Sequence, residues 1–322
     1  MSAAALAATA CRQQPAAQNT NALVLPSDSE VQTGGSRMID IGGGHRVWTK
    51  KVGPDSPIKV LLLHGGPGAD HSYFESFESF LPQNGVQFYY YDQLDSTNSD
   101  KPNDPKLWTV ERFRDDVEAV RKGLGLEQFY LLGHSWGGML AIEYALAYPQ
   151  HLKGLIISNM AAGIKAYEKR TAALRAALPS DILAVLDKYE KAGNYTAPEY
   201  QNVMLGQVYT RFICRLDPWP EPLQRAFRNF NEKVYNYLQG PNEFVVTGAF
   251  KNWERWNDLH RIQTRTLTIG AQYDEMDPED MKKMATMMPN AQSWISQKGS
   301  HMAFWDDQVP YFTSLLTFLK TA

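Results

Sequence analysis

The feature that most constrains the fold is a series of short, predominantly apolar runs that recur without polar alternation. They are Ile58 to Leu63, Val86 to Tyr91, Phe129 to Leu132, Leu155 to Ser158, Thr266 to Ile269 and Ser293 to Ile295. A strand that is apolar on both faces must be covered on both faces, which points to a mostly parallel sheet between helical layers. Helical periodicity separates several of the runs: Val110, Phe113, Val117, Val120 and Leu124 share one face, and Gly138 to Tyr148, Pro278 to Met288 and Tyr311 to Leu319 are further candidates. Strand and helix in alternation predict an α/β, doubly wound sheet. Ahead of these, Arg37 to Ile41 and His45 to Thr49 alternate around Gly42-Gly43-Gly44, the signature of a β-hairpin. No Lys-Ser or Lys-Thr follows those glycines, so they read as a turn and not as a phosphate loop.

The alternation stops between about Ala162 and Leu238. That segment holds helical stretches, Tyr167 to Leu178, Asp181 to Ala192 and Pro222 to Leu238, and the aromatics Trp219, Phe227, Phe230, Tyr235 and Tyr237. An all-helical insertion after a sheet strand predicts a cap over the carboxyl edge of the sheet, where ligands bind in open α/β folds. The expected organisation is a tail over 1–36, a core over 37–161, a helical cap over 162–240, and the second part of the core over 241–322.

Chemistry concentrates at Gly133-His134-Ser135-Trp136-Gly137, which satisfies G-x-S-x-G between the apolar strand ending at Leu132 and a helical run. In that setting the serine sits on a sharp strand-to-helix turn that exposes its Oγ, and the glycines make room for the crowded backbone. A serine nucleophile needs a base, and the base needs an orienting carboxylate, in the chain order Ser, Asp/Glu, His. Beyond Ser135 the histidines are His151, His260 and His301. The first two fit surface positions, whereas His301 lies in a loop after the last strand and is the candidate base. Asp274 comes first after the strand at Thr266 to Ile269 and is the candidate carboxylate, with Glu275 as the alternative. Asp277, just before Pro278, fits a helix N-cap. The oxyanion hole requires one backbone N–H from the residue after the serine, Trp136, and one from the loop His64-Gly65-Gly66-Pro67-Gly68, with Gly66 as the chosen donor. His64 reads as a residue that orders this loop.

His-Gly-Gly-Pro-Gly after one strand, Tyr91-Asp92-Gln93 after the next, and Gly-His-Ser-Trp-Gly-Gly at the elbow together resemble the prolyl aminopeptidases (proline iminopeptidases) of the α/β-hydrolase superfamily. The resemblance runs from about Arg37 to the C-terminus. It implies an α/β-hydrolase fold with a helical cap and a serine peptidase that removes an N-terminal residue, typically proline, using neither metal nor cofactor. The expected substrate is a peptide or amino-acid amide with a free N-terminus. The resemblance also implies glutamates that meet the substrate's amine, and Glu243 and Glu275 match those positions. An esterase or amidase acting on small acyl substrates would use the same triad and is the alternative. One departure stands out: where the family continues Asp-Gln with a glycine-rich turn, this chain reads Leu94-Asp95-Ser96-Thr97-Asn98-Ser99, which adds a carboxylate, Asp95, near the pocket. Cap aromatics and Trp305 are the candidates for lining the pocket of the proline ring.

Composition excludes other classes. With Lys plus Arg at 32 and Asp plus Glu at 35, the formal charge is -3, which offers no basic footprint for nucleic acid. The two cysteines, Cys11 and Cys214, exclude a disulfide scaffold, and no Cys/His cluster has zinc spacing. Met1 to Cys11 is small and apolar, and resembles the end of a lipoprotein signal peptide in which Cys11 receives the lipid anchor. On that reading the protein is periplasmic or membrane-anchored. The other reading is a disordered tail in which Cys11 has no role, in a cytoplasmic protein.

Overall fold

The computed structural model describes residues 33–321; the tail expected over 1–36, with Cys11, lies outside the described residues apart from its last positions. Eight strands form one sheet: β1 (Ser36–Asp40), β2 (Arg46–Val52), β3 (Lys59–Leu63), β4 (Gln87–Asp92), β5 (Phe129–His134), β6 (Leu152–Ser158), β7 (Thr266–Ala271) and β8 (Ala291–Ser296). Their spatial order is β1-β2-β4-β3-β5-β6-β7-β8. The hairpin β1–β2 is antiparallel, β2 pairs antiparallel with β4, and every later pairing is parallel.

Alternate residues of the central strands feed two separate cores. Leu61, Leu63, Leu131, Leu155 and Ile157 pack on one face of the sheet, and Val60, Leu62, Tyr130, Leu132 and Ile156 on the other. This explains the uninterrupted apolar runs, because both sets of a period-2 strand are buried. The first face is covered by α1 (Val110–Leu124), α2 (Trp136–Ala147) and, after β7, α9 (Pro278–Met287). Thr109 caps α1 by accepting from the Arg112 N–H at 3.1 Å, and Gly125 ends it in the left-handed conformation. The second face takes α10 (Ala303–Asp306) and α11 (Gln308–Lys320), with a 3₁₀ segment, His71–Ser79.

Between β6 and β7 the chain is helical: α3 (Ile164–Ala176), α4 (Ser180–Lys191), α5 (Pro198–Val203), α6 (Tyr209–Phe212), α7 (Glu221–Arg228) and α8 (Glu232–Leu238). Two details differ from the sequence expectation. Pro222 to Leu238, expected as one helical stretch, is two helices broken at Asn229-Phe230-Asn231, where the Asn231 side chain accepts from the Lys233 N–H at 3.2 Å and starts α8 afresh. Helices α5 and α6, joined through a wider turn at Met204–Val208, fill a part of the expected helical segment for which no single stretch had been named. Cys214 follows α6; it is buried and unpaired, and burial pushes its thiol up to about 12, which leaves it unreactive. No helix among the described residues is long and apolar enough to cross a membrane.

The strand order reverses between β3 and β5, and both strands end at the same edge. That switch point is where a doubly wound sheet opens a crevice. The loop after β3 is His64 to Gly68, and the turn after β5 is Ser135.

Candidate active site

Ser135 stands between β5 and α2 with φ 56° and ψ −128°, a conformation that costs an L-residue about 1–3 kcal/mol. Its surroundings hold it there: its N–H donates to the Ser158 carbonyl at 3.0 Å, and its carbonyl accepts from the Gly138 N–H at 2.7 Å. The flanking glycines are required by close approach. A Cβ on Gly133 would lie 2.0 Å from the Gly137 carbonyl oxygen, and one on Gly137 2.0 Å from that of Leu63. Gly65 is as tightly constrained, since its Cβ would fall 2.6 Å from Ser135 Cβ.

The base and its carboxylate come from the next loops along the sheet edge. His301 Nδ1 lies 2.9 Å from Asp274 Oδ1, and both residues are buried. Asp274 also accepts from the Met276 N–H at 3.0 Å and from Asn159 Nδ2 at 2.6 Å, so its orientation is set from both sides. The His301 loop is tied to the cap, where His301 and Met302 donate their N–H groups to the carbonyls of Phe212 and Ile213 at 2.9 and 2.8 Å. With Nδ1 committed to Asp274, Nε2 is left to face outward. Ser135 Oγ and the His301 ring line one cavity with Gly66, Tyr73, Phe227 and Phe230, without a direct hydrogen bond between them. Such contacts tighten when a substrate is bound. Asp277 caps α9, accepting from the Glu279 N–H at 3.0 Å.

The loop after β3 supplies backbone donors. Gly65 gives its N–H to the Tyr73 hydroxyl, which leaves Gly66 as the free donor of that pair. Among the described residues, neither the Gly66 N–H nor the Trp136 N–H at the start of α2 meets a backbone acceptor. Both border the space around Ser135, and the N-terminus of α2 adds its positive dipole end. His64 orders the loop as expected: burial holds its ring neutral, Nε2 accepts from the Gln93 N–H at 3.0 Å, and Nδ1 donates to the Gly65 carbonyl at 3.0 Å.

One contact chain was not visible in the sequence. His134 is fully enclosed, and burial beside His301 pushes its pKa well below the usual range, so the ring is neutral and carries one N–H. Nε2 donates to the His301 carbonyl at 2.9 Å, and Nδ1 accepts from the Tyr73 hydroxyl at 3.3 Å. That hydroxyl in turn accepts from Gly65. Three hydrogen bonds therefore link the oxyanion loop, the elbow and the loop of the base.

The two glutamates differ. Glu243, half-buried, follows α8; its carboxylate accepts from the hydroxyls of Tyr235 at 2.7 Å and Tyr167 at 2.9 Å, and it borders the cavities around Ser135. Glu275 does not line those cavities. It is enclosed behind His301, with Oε1 3.1 Å from Nδ1, and among the described residues neither oxygen has a hydrogen-bond partner. Burial, then the charges of Asp274 and Glu243, push its pKa well above the carboxylate range, which favours its protonated form. Donor atoms of Asp274, Glu275 and His301 lie within 4.8 Å of one another, close enough to hold a cation, but Nδ1 is then lost to Asp274.

Other expectations need correction. Asp95 places no carboxylate in the pocket: it is buried, accepts from Trp108 Nε1 at 2.7 Å and from the Asn103 N–H at 2.9 Å, and its carbonyl takes the Asn231 side chain at 2.9 Å. The turn without glycines is held by these bonds, with Asp95 itself at φ 66°. Trp305 turns its Nε1 to the Tyr73 carbonyl at 2.7 Å and lines neither cavity at Ser135. Of the cap aromatics, Phe227, Phe230 and Tyr235 reach those cavities, and Trp219 and Tyr237 do not.

Residues 59–308 match the α/β hydrolase fold family. The chain is 44% identical over 283 residues to the proline iminopeptidase of Chitinophaga pinensis and 43% over 282 residues to that of Elizabethkingia meningoseptica, in each case covering 86% of this chain and 95% of the relative. The crystal structure of the proline iminopeptidase of Mycobacterium smegmatis superposes with a TM-score of 0.81 at 30% identity, over 88% of this chain and 97% of that one. The chain belongs to the proline iminopeptidase family of the α/β hydrolases. Within this member, sequence reasoning missed Asn159, Tyr73 and the linking role of His134. Asn159 offered one signal, a polar residue at the end of an apolar strand beside Asp274's strand; Tyr73 offered none.

Proposed function

We propose that this chain is a serine aminopeptidase that releases N-terminal proline from peptides. Ser135 Oγ attacks the carbonyl carbon of the N-terminal residue while His301 Nε2 takes its proton, and Asp274 steadies the ring through Nδ1. The carbonyl oxygen, now an oxyanion, meets the N–H groups of Gly66 and Trp136. Collapse breaks the C–N bond, and His301 gives its proton to the departing amine nitrogen. Water, deprotonated by His301, then attacks the acyl-enzyme, frees proline and restores Ser135.

The two spaces flanking Ser135 divide the substrate between them. The departing nitrogen must lie on the side of His301, in the cavity lined by Phe227, Phe230 and Met302. The acyl residue then points to the other side, toward Trp136, Met139, Met160, Ile164, Phe250 and Met276, a narrow space with Glu243 at its rim. Its thioether side chains suit a compact apolar ring, because methionine adapts to irregular shapes.

The observation that carries this reading is Glu243, a carboxylate at the rim of the space beside Ser135, with the buried Glu275 close enough to feel its charge. The protonated secondary amine of N-terminal proline carries two N–H donors and one positive charge, which give the Glu243 carboxylate a charged donor. The test is a panel of prolyl arylamide, its N-acetylated form and a simple aryl ester. Cleavage of the free amine with rejection of the blocked one is expected. Cleavage of the ester and the blocked amide, with the free amine ignored, would favour the esterase reading instead.

A further inference from the structure

We propose that a cleft within the helical cap receives the peptide beyond the bond that is cut, so that the enzyme measures the length of the departing chain. The inference rests on the aminopeptidase reading and assigns the far side of the same site. The cleft has a volume of about 850 Å³, within the range of built ligand sites. It is bounded by α5, the turn carrying Leu205, α7, α8 and the segment around Glu243. Three of its wall residues, Phe227, Phe230 and Glu243, also line the His301 side of the Ser135 cavity. These side chains are shared by the two spaces. A chain whose scissile nitrogen lies beside His301 therefore advances over Phe227 and Phe230 into the cleft.

The lining fits an extended peptide. Gln201, Asn236 and Thr247 offer hydrogen-bonding groups of both kinds, Leu205 and the two phenylalanines offer apolar surface, and Arg228 and Glu232 balance in charge. A peptide presents a donor and an acceptor at each residue and advances 3.3–3.6 Å per residue. The threshold is also anchored to the chemistry. Phe230 sits in the break between α7 and α8, where Asn229 Nδ2 donates to Asp70 at 3.1 Å and the Asn231 N–H to the Gly68 carbonyl at 2.8 Å. A Cβ on Gly66 would come within 2.8 Å of the Phe230 ring. A chain lying over Phe230 thus bears on the loop that holds the oxyanion, and remote binding can be used in the transition state.

The experiment compares kcat/KM for prolyl arylamide and for prolyl di-, tri-, tetra- and pentapeptides, in the wild type and in Leu205→Trp and Asn236→Trp, which fill the cleft from the turn after α5 and from α8. The wild type should gain about tenfold from dipeptide to tetrapeptide, equivalent to about 1.4 kcal/mol. Each filler should remove that gain and leave arylamide turnover within about twofold, since the arylamide does not reach past the threshold. A flat wild-type profile overturns the proposal. So does a gain that survives both fillers, and so does an equal loss on arylamide and peptides. Failure of the aminopeptidase reading shows differently, as no turnover of prolyl arylamide by the wild type, and takes the cleft assignment with it.

Discussion

Tyr73→Phe tests whether the hydrogen-bonded link between the catalytic loops positions the chemistry. The ring is buried and packs against Phe74 and Phe304, and the substitution keeps that packing while deleting one oxygen. That oxygen accepts from the Gly65 N–H and faces His134 Nδ1 at 3.3 Å, so its loss strands two buried groups. An unpaired buried polar group costs about 1–3 kcal/mol, and the longer His134 contact counts toward the low end, so the fold should lose about 2–4 kcal/mol. Part of that falls on catalysis. Gly65 precedes the oxyanion donor Gly66 and abuts Ser135, so a loop freed by a fraction of an ångström misplaces the donor. A fall in kcat of about 10- to 100-fold is expected with KM within about threefold, because Glu243 and the acyl pocket are untouched. The assay pairs urea unfolding with steady-state kinetics on prolyl arylamide. Tyr130→Phe serves as the comparison: it also deletes a buried hydroxyl, which donates to the Leu319 carbonyl at 3.3 Å, at the other end of β5 from Ser135. If Tyr73→Phe loses stability and keeps its kcat, or if Tyr130→Phe loses kcat equally, the positioning argument is wrong.

Further outcomes follow from single contacts. Gly65→Ala should abolish turnover while the protein still folds, because the new Cβ would lie 2.6 Å from Ser135 Cβ; retention of more than about a tenth of wild-type kcat/KM would contradict that crowding. Glu243→Gln should lower kcat/KM for prolyl arylamide by about 10- to 100-fold, since a hydrogen bond to a charged group is worth about 1.5–3 kcal/mol; an unchanged ratio of free to N-acetylated substrate would remove Glu243 from amine recognition. Asp116 is buried, which pushes its pKa up to about 7 despite Arg112 at 2.7 Å. A carboxyl raised in the folded state gives stability that is present in full below about pH 4, and loses it as pH rises through 7. The loss is about 4 kcal/mol at most, and less where water reaches Arg112. Asp116→Asn should therefore stabilise the protein at pH 8 and make little difference at pH 4, as read by urea unfolding at the two pH values; a constant difference would show that Asp116 ionises normally.

The sheet was legible because its strands are buried on both faces: a continuous run such as Phe129 to Leu132 admits few other structures, and its placement before Gly133 made Ser135 readable. Asp274 and His301 were legible for a related reason, as each follows a strand and the chain order of the triad is constrained. The cap was less so. Its break at Asn229–Asn231 depends on partners far away in sequence, Asp70, Gly68 and Asp95, which no local pattern reveals. Asp95 misled for the same reason, since its type suggested a pocket charge and its bonds to Trp108 and Asn103 make it a brace. Tyr73 lies in a 3₁₀ segment where an aromatic residue reads as core, and only tertiary structure turns its hydroxyl toward Gly65.

The most direct measurement is covalent labelling of the enzyme with a fluorophosphonate, with the modified residue mapped by peptide mass spectrometry and the rate followed with and without prolinamide. The account predicts one label, on Ser135, slowed by prolinamide and not by N-acetylprolinamide, because only the free secondary amine takes a proton and meets Glu243. A label elsewhere, or equal protection by both amides, would contradict it.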